Sequence, residues 1–241
     1  MDHVFYAVST GPAGGKFLTS EAIEVLRGCE SIFYPAAASN EKSAALECIR
    51  EAVNLEGKDL RKIIFPMGQD EAQNGFIYEQ AAEEACRALL KGSAAFVCIG
   101  DVCVYSTAAA VAEAVKKRGF ETRFVAGVTS FCAAACACRL DLAEKDEPIA
   151  IIPGDACFKK GEIARALDER GTKIFMKCAR HLKEIIAAAK AAGLIGSSYL
   201  VFKAGSAQEK IFCGEEICAV DFDEEKSWYM SVLIVKGSAR R

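Results

Sequence analysis

Asp101, Tyr105, Ser106 and Thr107 are the residues whose types and spacing best suit them to chemistry. They follow the apolar run 94–99 across a Gly100-Asp101 turn and lead into an alanine-rich helical stretch. A buried strand ending in a glycine turn, with polar side chains at its mouth, is where an open α/β sheet places a ligand. A carboxylate and a phenol there can orient a ligand, face a positive charge or carry a proton. The same residues also suit a turn former and a helix cap, which involve no chemistry.

Other machinery is missing. The glycines of loop 11–15 have neither the Walker nor the Rossmann spacing, and no Gly-x-Ser-x-Gly elbow occurs. With His3 and His181 as the only histidines, a Ser/His or Cys/His device has few parts. The twelve cysteines lie in a chain of 241 residues without an export signal, many inside apolar runs, and read as free thiols acting as small hydrophobes. Cys132 and Cys136 share a helix face while Cys138 points elsewhere, so no metal site is expected. A net charge of -3 with no basic stripe disfavours nucleic acid. No apolar run has the length of a membrane span, which makes a cytoplasmic location the expectation.

The elements that must position these residues alternate. Strands are predicted at 4–8, 31–34, 62–65, 94–99 and 122–125, and helices at 20–27, within 36–56, at 75–91 and from 107 to about 118. That alternation argues for a parallel sheet with flanking helices. Gly119, after the basic run 116–118, divides the chain into an N-terminal α/β domain, 1–120, and a C-terminal one, 121–241. In the second half, strands at 149–152 and 172–176 and helices at 132–139, 160–170 and 181–192 give way to three strands, 198–203, 209–213 and 229–235. The expected sheet there is mixed and partly antiparallel. Turns 9–15, 100–107, 126–131 and 176–180 each follow an apolar strand, and 203–205 is similar. All could meet at one cleft.

These turns carry a resemblance. Ser9-Thr10-Gly11-Pro12-Ala13-Gly14-Gly15-Lys16-Phe17-Leu18-Thr19 looks like Gly-x-Gly-Pro-Gly-Asp-Pro-x-x-Leu-Thr, a signature of the tetrapyrrole (corrin/porphyrin) methylases. Gly100-Asp101-Val102 resembles the family's Gly-Asp-Pro turn, and Ala126-Gly127-Val128-Thr129-Ser130 its Pro-Gly-Ile-Thr-Ser. Met176 and Ala204-Gly205 match the late methionine and Ala-Gly turn. Departures include Gly14 for aspartate, and Val102 and Ala126 for prolines. Phe33-Tyr34-Pro35, Phe65-Pro66-Met67, Tyr105-Ser106-Thr107, Leu142-Ala143-Glu144 and 229–234 resemble the branch acting at C20 of precorrin-2 or cobalt-precorrin-2.

The resemblance implies two α/β domains with the active-site cleft between them, S-adenosylmethionine as co-substrate, a polycarboxylate tetrapyrrole substrate and a homodimer. It assigns the donor to Pro12, Ile99, Gly100, Asp101, Val104, Thr129, Ser130, Met176, Ala204 and Gly205, with Asp101 and Tyr105 as the catalytic candidates. Lys16, Arg139 and Lys203 are candidate rim cations or ordinary solvated surface. An electron-rich meso carbon needs no side-chain nucleophile, and alignment of the reacting atoms supplies up to about 7–11 kcal/mol. The same fold could instead serve another tetrapyrrole, a protein residue, or ligand binding without catalysis.

Overall fold

The structure, a computed structural model, describes residues 3–38, 42–66, 71–154, 162–222 and 228–237. Met67 and residues 160–161, the start of the helix expected at 160–170, lie outside them. Two compact units divide the chain, Met1–Thr129 and Ser130–Arg241.

The first unit is a parallel five-stranded sheet in the order β3-β2-β4-β1-β5. Its strands are β1 (Val4–Ser9), β2 (Ser31–Ala36), β3 (Asp59–Ile64), β4 (Ala94–Cys98) and β5 (Glu121–Val125). Central β4 is buried throughout, which is why it reads as an unbroken apolar run. Alternate residues serve two cores. Phe5, Phe33 and Phe96 pack under α3 (Glu71–Leu89) and α4 (Thr107–Lys117) through Ala81, Ala85, Val111 and Val115. Val8, Ile32, Ala95 and Val97 pack with Leu26 of α1 (Ser20–Gly28) and Ile49 of α2 (Ala44–Arg50).

Several boundaries differ from the sequence reading, among them β3, which begins at Asp59 rather than 62, and three others have a clear cause. The strand expected to close at Pro35 runs on to Ala36; β4 pairs with β2 only as far as Phe33, so the missing proline N–H lies beyond that ladder. Helix α3 runs through Gly75, where an added Cβ would meet nothing within 4 Å. Gly119, read as a domain boundary, is the left-handed stop of α4 (φ 88°), and β5 returns to pair with β1. The first unit therefore continues to Thr129 rather than ending at 120.

The second unit is a mixed sheet in the order β6-β7-β10-β8-β9. It comprises β6 (Ile149–Pro153), β7 (Thr172–Met176), β8 (Ser198–Phe202), β9 (Lys210–Cys213) and β10 (Ser231–Val235). Among the described residues, only β6 and β7 pair in parallel. Helix α5 (Ser130–Ala137) lies against β10. Ile163 and Leu167 of α6 (Glu162–Asp168) and Leu182, Ile185 and Ala189 of α7 (Leu182–Ala191) join Phe175, Leu200 and Leu233 in one core. Lys173 is fully buried and donates to the carbonyls of Glu169, Gly171 and Gly237, clipping the chain beyond β10 to the start of β7.

The hydroxyl of Thr172 beside it is buried without a hydrogen-bond partner. Thr172→Val keeps the β-branched shape and removes the unsatisfied group. It should raise stability by about 1 kcal/mol, read as a higher urea midpoint with an unchanged slope.

Candidate functional site

In the first unit the sheet brings the turns after β1, β4 and β5 together at the carboxyl ends of adjacent strands. Gly11 and Gly100 exchange two backbone hydrogen bonds, 3.1 and 2.8 Å, as an isolated antiparallel bridge. Both are left-handed, with φ of 71° and 78°. Thr10 donates its hydroxyl to the Cys98 carbonyl at 3.0 Å.

Ser9 joins all three turns. Its hydroxyl donates to the Val125 carbonyl at 2.7 Å and accepts the Val102 N–H at 2.8 Å. A proline at 102, usual in the resembling signature, has no N–H to give. The valine is therefore matched to the serine at position 9, where the signature has glycine.

Asp101 is half-buried and commits both carboxylate oxygens to this framework. One accepts the Cys103 N–H at 2.8 Å, closing its own turn. The other accepts the Gly127 N–H at 2.7 Å, tying the β4 turn to the β5 turn. Gly127 must be glycine: an added Cβ would lie 2.4 Å from Ser9 Cβ and 3.1 Å from the Gly100 oxygen. Pro12, Ile99, Gly100, Asp101, Val104 and Thr129 thus belong to one interlocked set of turns.

Tyr105 closes the turn with φ 52° and is 42% exposed. A bulky residue in the left-handed region stores strain, of the kind that accumulates at functional sites. Ser106 is the N-cap of α4 and accepts the Ala108 N–H at 3.1 Å, so one part of the Tyr-Ser-Thr element is a capping device. Beneath the turn, burial pushes the Cys98 thiol up to about 12, leaving it an inert small hydrophobe.

In the second unit, β7 and β8 flank β10 and run antiparallel to it, so Met176 and the Ala204-Gly205 turn sit at the same end of the sheet. Met176 pairs with Pro153 and Val232. Gly205 is left-handed (φ 81°) and gives its N–H to Glu209 at 2.6 Å. Ser130 opens α5.

Of the candidate rim cations, Lys16 lies over the Phe17 ring at 5.2 Å. Lys203 lies over Phe202 at 5.1 Å and donates to Gln208. Arg139 and Lys203 both have left-handed backbone, φ 53° and 48°. Cys132 and Cys136 are both exposed on α5, and burial next to Cys213 and Glu209 pushes Cys138 up to about 11. No group of three potential metal ligands occurs among the described residues. No described helix is long and apolar enough to cross a membrane.

Ser9 and Gly127, whose contacts build the turns, and Glu51, which accepts the Gly15 N–H, were not singled out by sequence reasoning. Ser9 and Gly127 lie in stretches that it marked as turns. Their partners lie too far along the chain for any local pattern to show.

The profile of the tetrapyrrole (corrin/porphyrin) methylases matches residues 4–216. The chain is 33% identical, over 98% of its length and 96% of the relative's, to a Methanocaldococcus jannaschii protein named probable cobalt-precorrin-2 C(20)-methyltransferase. It is 26% identical, over 98% of both chains, to the cobalt-precorrin-2 C(20)-methyltransferase of Salmonella typhimurium. The solved structure of a cobalt precorrin-4 methyltransferase shares the fold, with TM-score 0.72 and 17% identity over 97% of this chain and 94% of that one.

Proposed function

The chain belongs to the tetrapyrrole (corrin/porphyrin) methylase family, and on that footing we propose that it methylates C20 of cobalt-precorrin-2 or precorrin-2 in corrinoid biosynthesis. The observation that carries this reading is the 33% identity, across nearly the whole of both chains, with the Methanocaldococcus jannaschii relative of that name. The reading includes a cytoplasmic homodimer.

S-adenosylmethionine supplies, when bound, an electrophilic methyl group on a sulfonium. The residues fit such a donor. Gly11 and Gly100 hold left-handed turns bare of side chains at strand ends, and Ile99 and Val104 beside them are half-buried and apolar. Backbone groups of Pro12, Gly100, Thr129, Ser130, Ala204 and Gly205 would hold its amino-acid and adenosine parts, with Met176 against the adenine. Asp101 would keep the turn in shape while setting a negative charge beside a cationic ligand. Tyr105 would line the tetrapyrrole and orient it. Lys16, Arg139 and Lys203 would face the substrate's carboxylates. The chain's contribution is binding, alignment and exclusion of water, with no side-chain nucleophile.

Incubation with S-adenosylmethionine and either cobalt-precorrin-2 or precorrin-2, followed by mass spectrometry, should show one added methyl and an equivalent of S-adenosylhomocysteine. No methyl added to either substrate would overturn the reading.

A further inference from the structure

Among its departures from the family signature, the loop after β1 has Gly14 and Gly15 where the signature has aspartate and proline. Both departures meet the same side chain. Glu51, just past the end of α2, accepts the Gly15 N–H at 2.6 Å. A proline at 15 would have no N–H to offer. A Cβ on Gly14 would lie 3.1 Å from the same carboxylate oxygen, so the Glu51 head group borders the space an aspartate at 14 would enter. Gly14 itself has φ 63° and ψ 166°, a backbone region open essentially to glycine alone.

The placement of Glu51 supports this. It is the C-cap of α2, where a carboxylate is disfavoured by the helix dipole. Helix stability does not account for an acid there, whereas the loop N–H gives it a partner. One turn earlier, the Cys48 sulfur accepts the Gly14 N–H at 3.2 Å. The end of α2 thus holds the N–H groups of both Gly14 and Gly15, and the loop is joined through Gly11 to the Gly100 turn.

We propose that Glu51 replaces the carboxylate this loop lacks, supplying it from α2, and is a positioning residue for the methyl donor. It acts through the loop and touches no reacting atom. The inference rests on the donor assignment above.

Calorimetric titration with S-adenosylmethionine tests it, with thermal unfolding measured in parallel. Glu51→Ala should weaken donor binding about tenfold, because the donor must then order a loop that Glu51 otherwise holds in place. Because Glu51 is exposed, the unfolding midpoint should hardly move. In turnover assays KM for the donor should rise with little change in kcat. Glu51→Gln keeps an acceptor oxygen and should restore binding to within about threefold of wild type. Glu47→Gln, on the same helix, should bind as wild type does.

A Glu51→Ala variant that binds the donor like wild type overturns this inference alone. So does one whose loss of affinity is matched by a fall in midpoint and is not restored by Gln. A wild-type chain that does not bind the donor overturns the methyl-transfer reading, and this inference with it.

Discussion

Asp101→Ala should weaken binding of S-adenosylmethionine by about a hundredfold and lower the stability of the first unit by about 2–4 kcal/mol. Both oxygens are in use, at 2.7 and 2.8 Å from two backbone N–H groups. Hydrogen bonds to a charged acceptor contribute about 1.5–3 kcal/mol each, and alanine leaves the half-buried Gly127 N–H without a partner. Asp101→Asn separates shape from charge. Its amide oxygen can keep one of the two bonds, so stability should fall by only about half as much. If Asp101 also acts on the bound ligands through its charge, the Asn variant loses more turnover than stability. If it only builds the turn, the two fall together. Urea unfolding, calorimetric titration and turnover assays of both variants make the comparison, and wild-type affinity in the Ala variant would remove Asp101 from the site.

Gly11→Ala should be comparably damaging, for steric reasons. At φ 71° an alanine costs about 1–2 kcal/mol. Its Cβ would also fall 2.3 Å from Phe17 Cβ, and relief of that overlap costs about 1–3 kcal/mol more. The relief must shift either the 3-10 turn Gly15–Phe17 or the bridge to Gly100, so donor binding should fall with stability. Gly57→Ala isolates the backbone contribution: φ is 76°, but nothing lies within 4 Å of the new Cβ. That variant should lose only about 1 kcal/mol. Equal losses in the two variants, by urea unfolding, would rule out the steric account.

The features legible in the sequence are those with local causes. β4 reads as a strand because it is apolar throughout. The sequence offers Thr19 or Ser20 as the cap of α1, and it is Thr19 that accepts the Ala22 N–H, at 3.1 Å. The mixed second sheet shows as three late strands with no helical pattern between them. What could not be read depends on distant partners. Gly119 looks the same whether it ends a domain or only a helix, and the pairing of β5 with β1 decides the matter. Among the described residues, the helix sought across 36–56 is α2 alone, and Ala36 belongs to a strand whose partner, β3, comes later. Asp101 is conspicuous by position, but its hold on Gly127 depends on two strand ends meeting. Glu51 gave no signal, since its meaning comes from a loop on another element.

The Ser9 hydroxyl, held between the Val102 N–H and the Val125 carbonyl, has a consequence for how this sequence can drift. Exchanging Ser9 for the signature's glycine by itself strands a buried N–H. Exchanging Val102 for proline by itself leaves the hydroxyl facing a ring where its donor had been. The two positions are therefore passable only as a pair, and the single-step intermediates are the costly ones. A chimera that takes the β1 turn from one parent and the β4 turn from another crosses that barrier, whereas one that keeps both turns from the same parent does not.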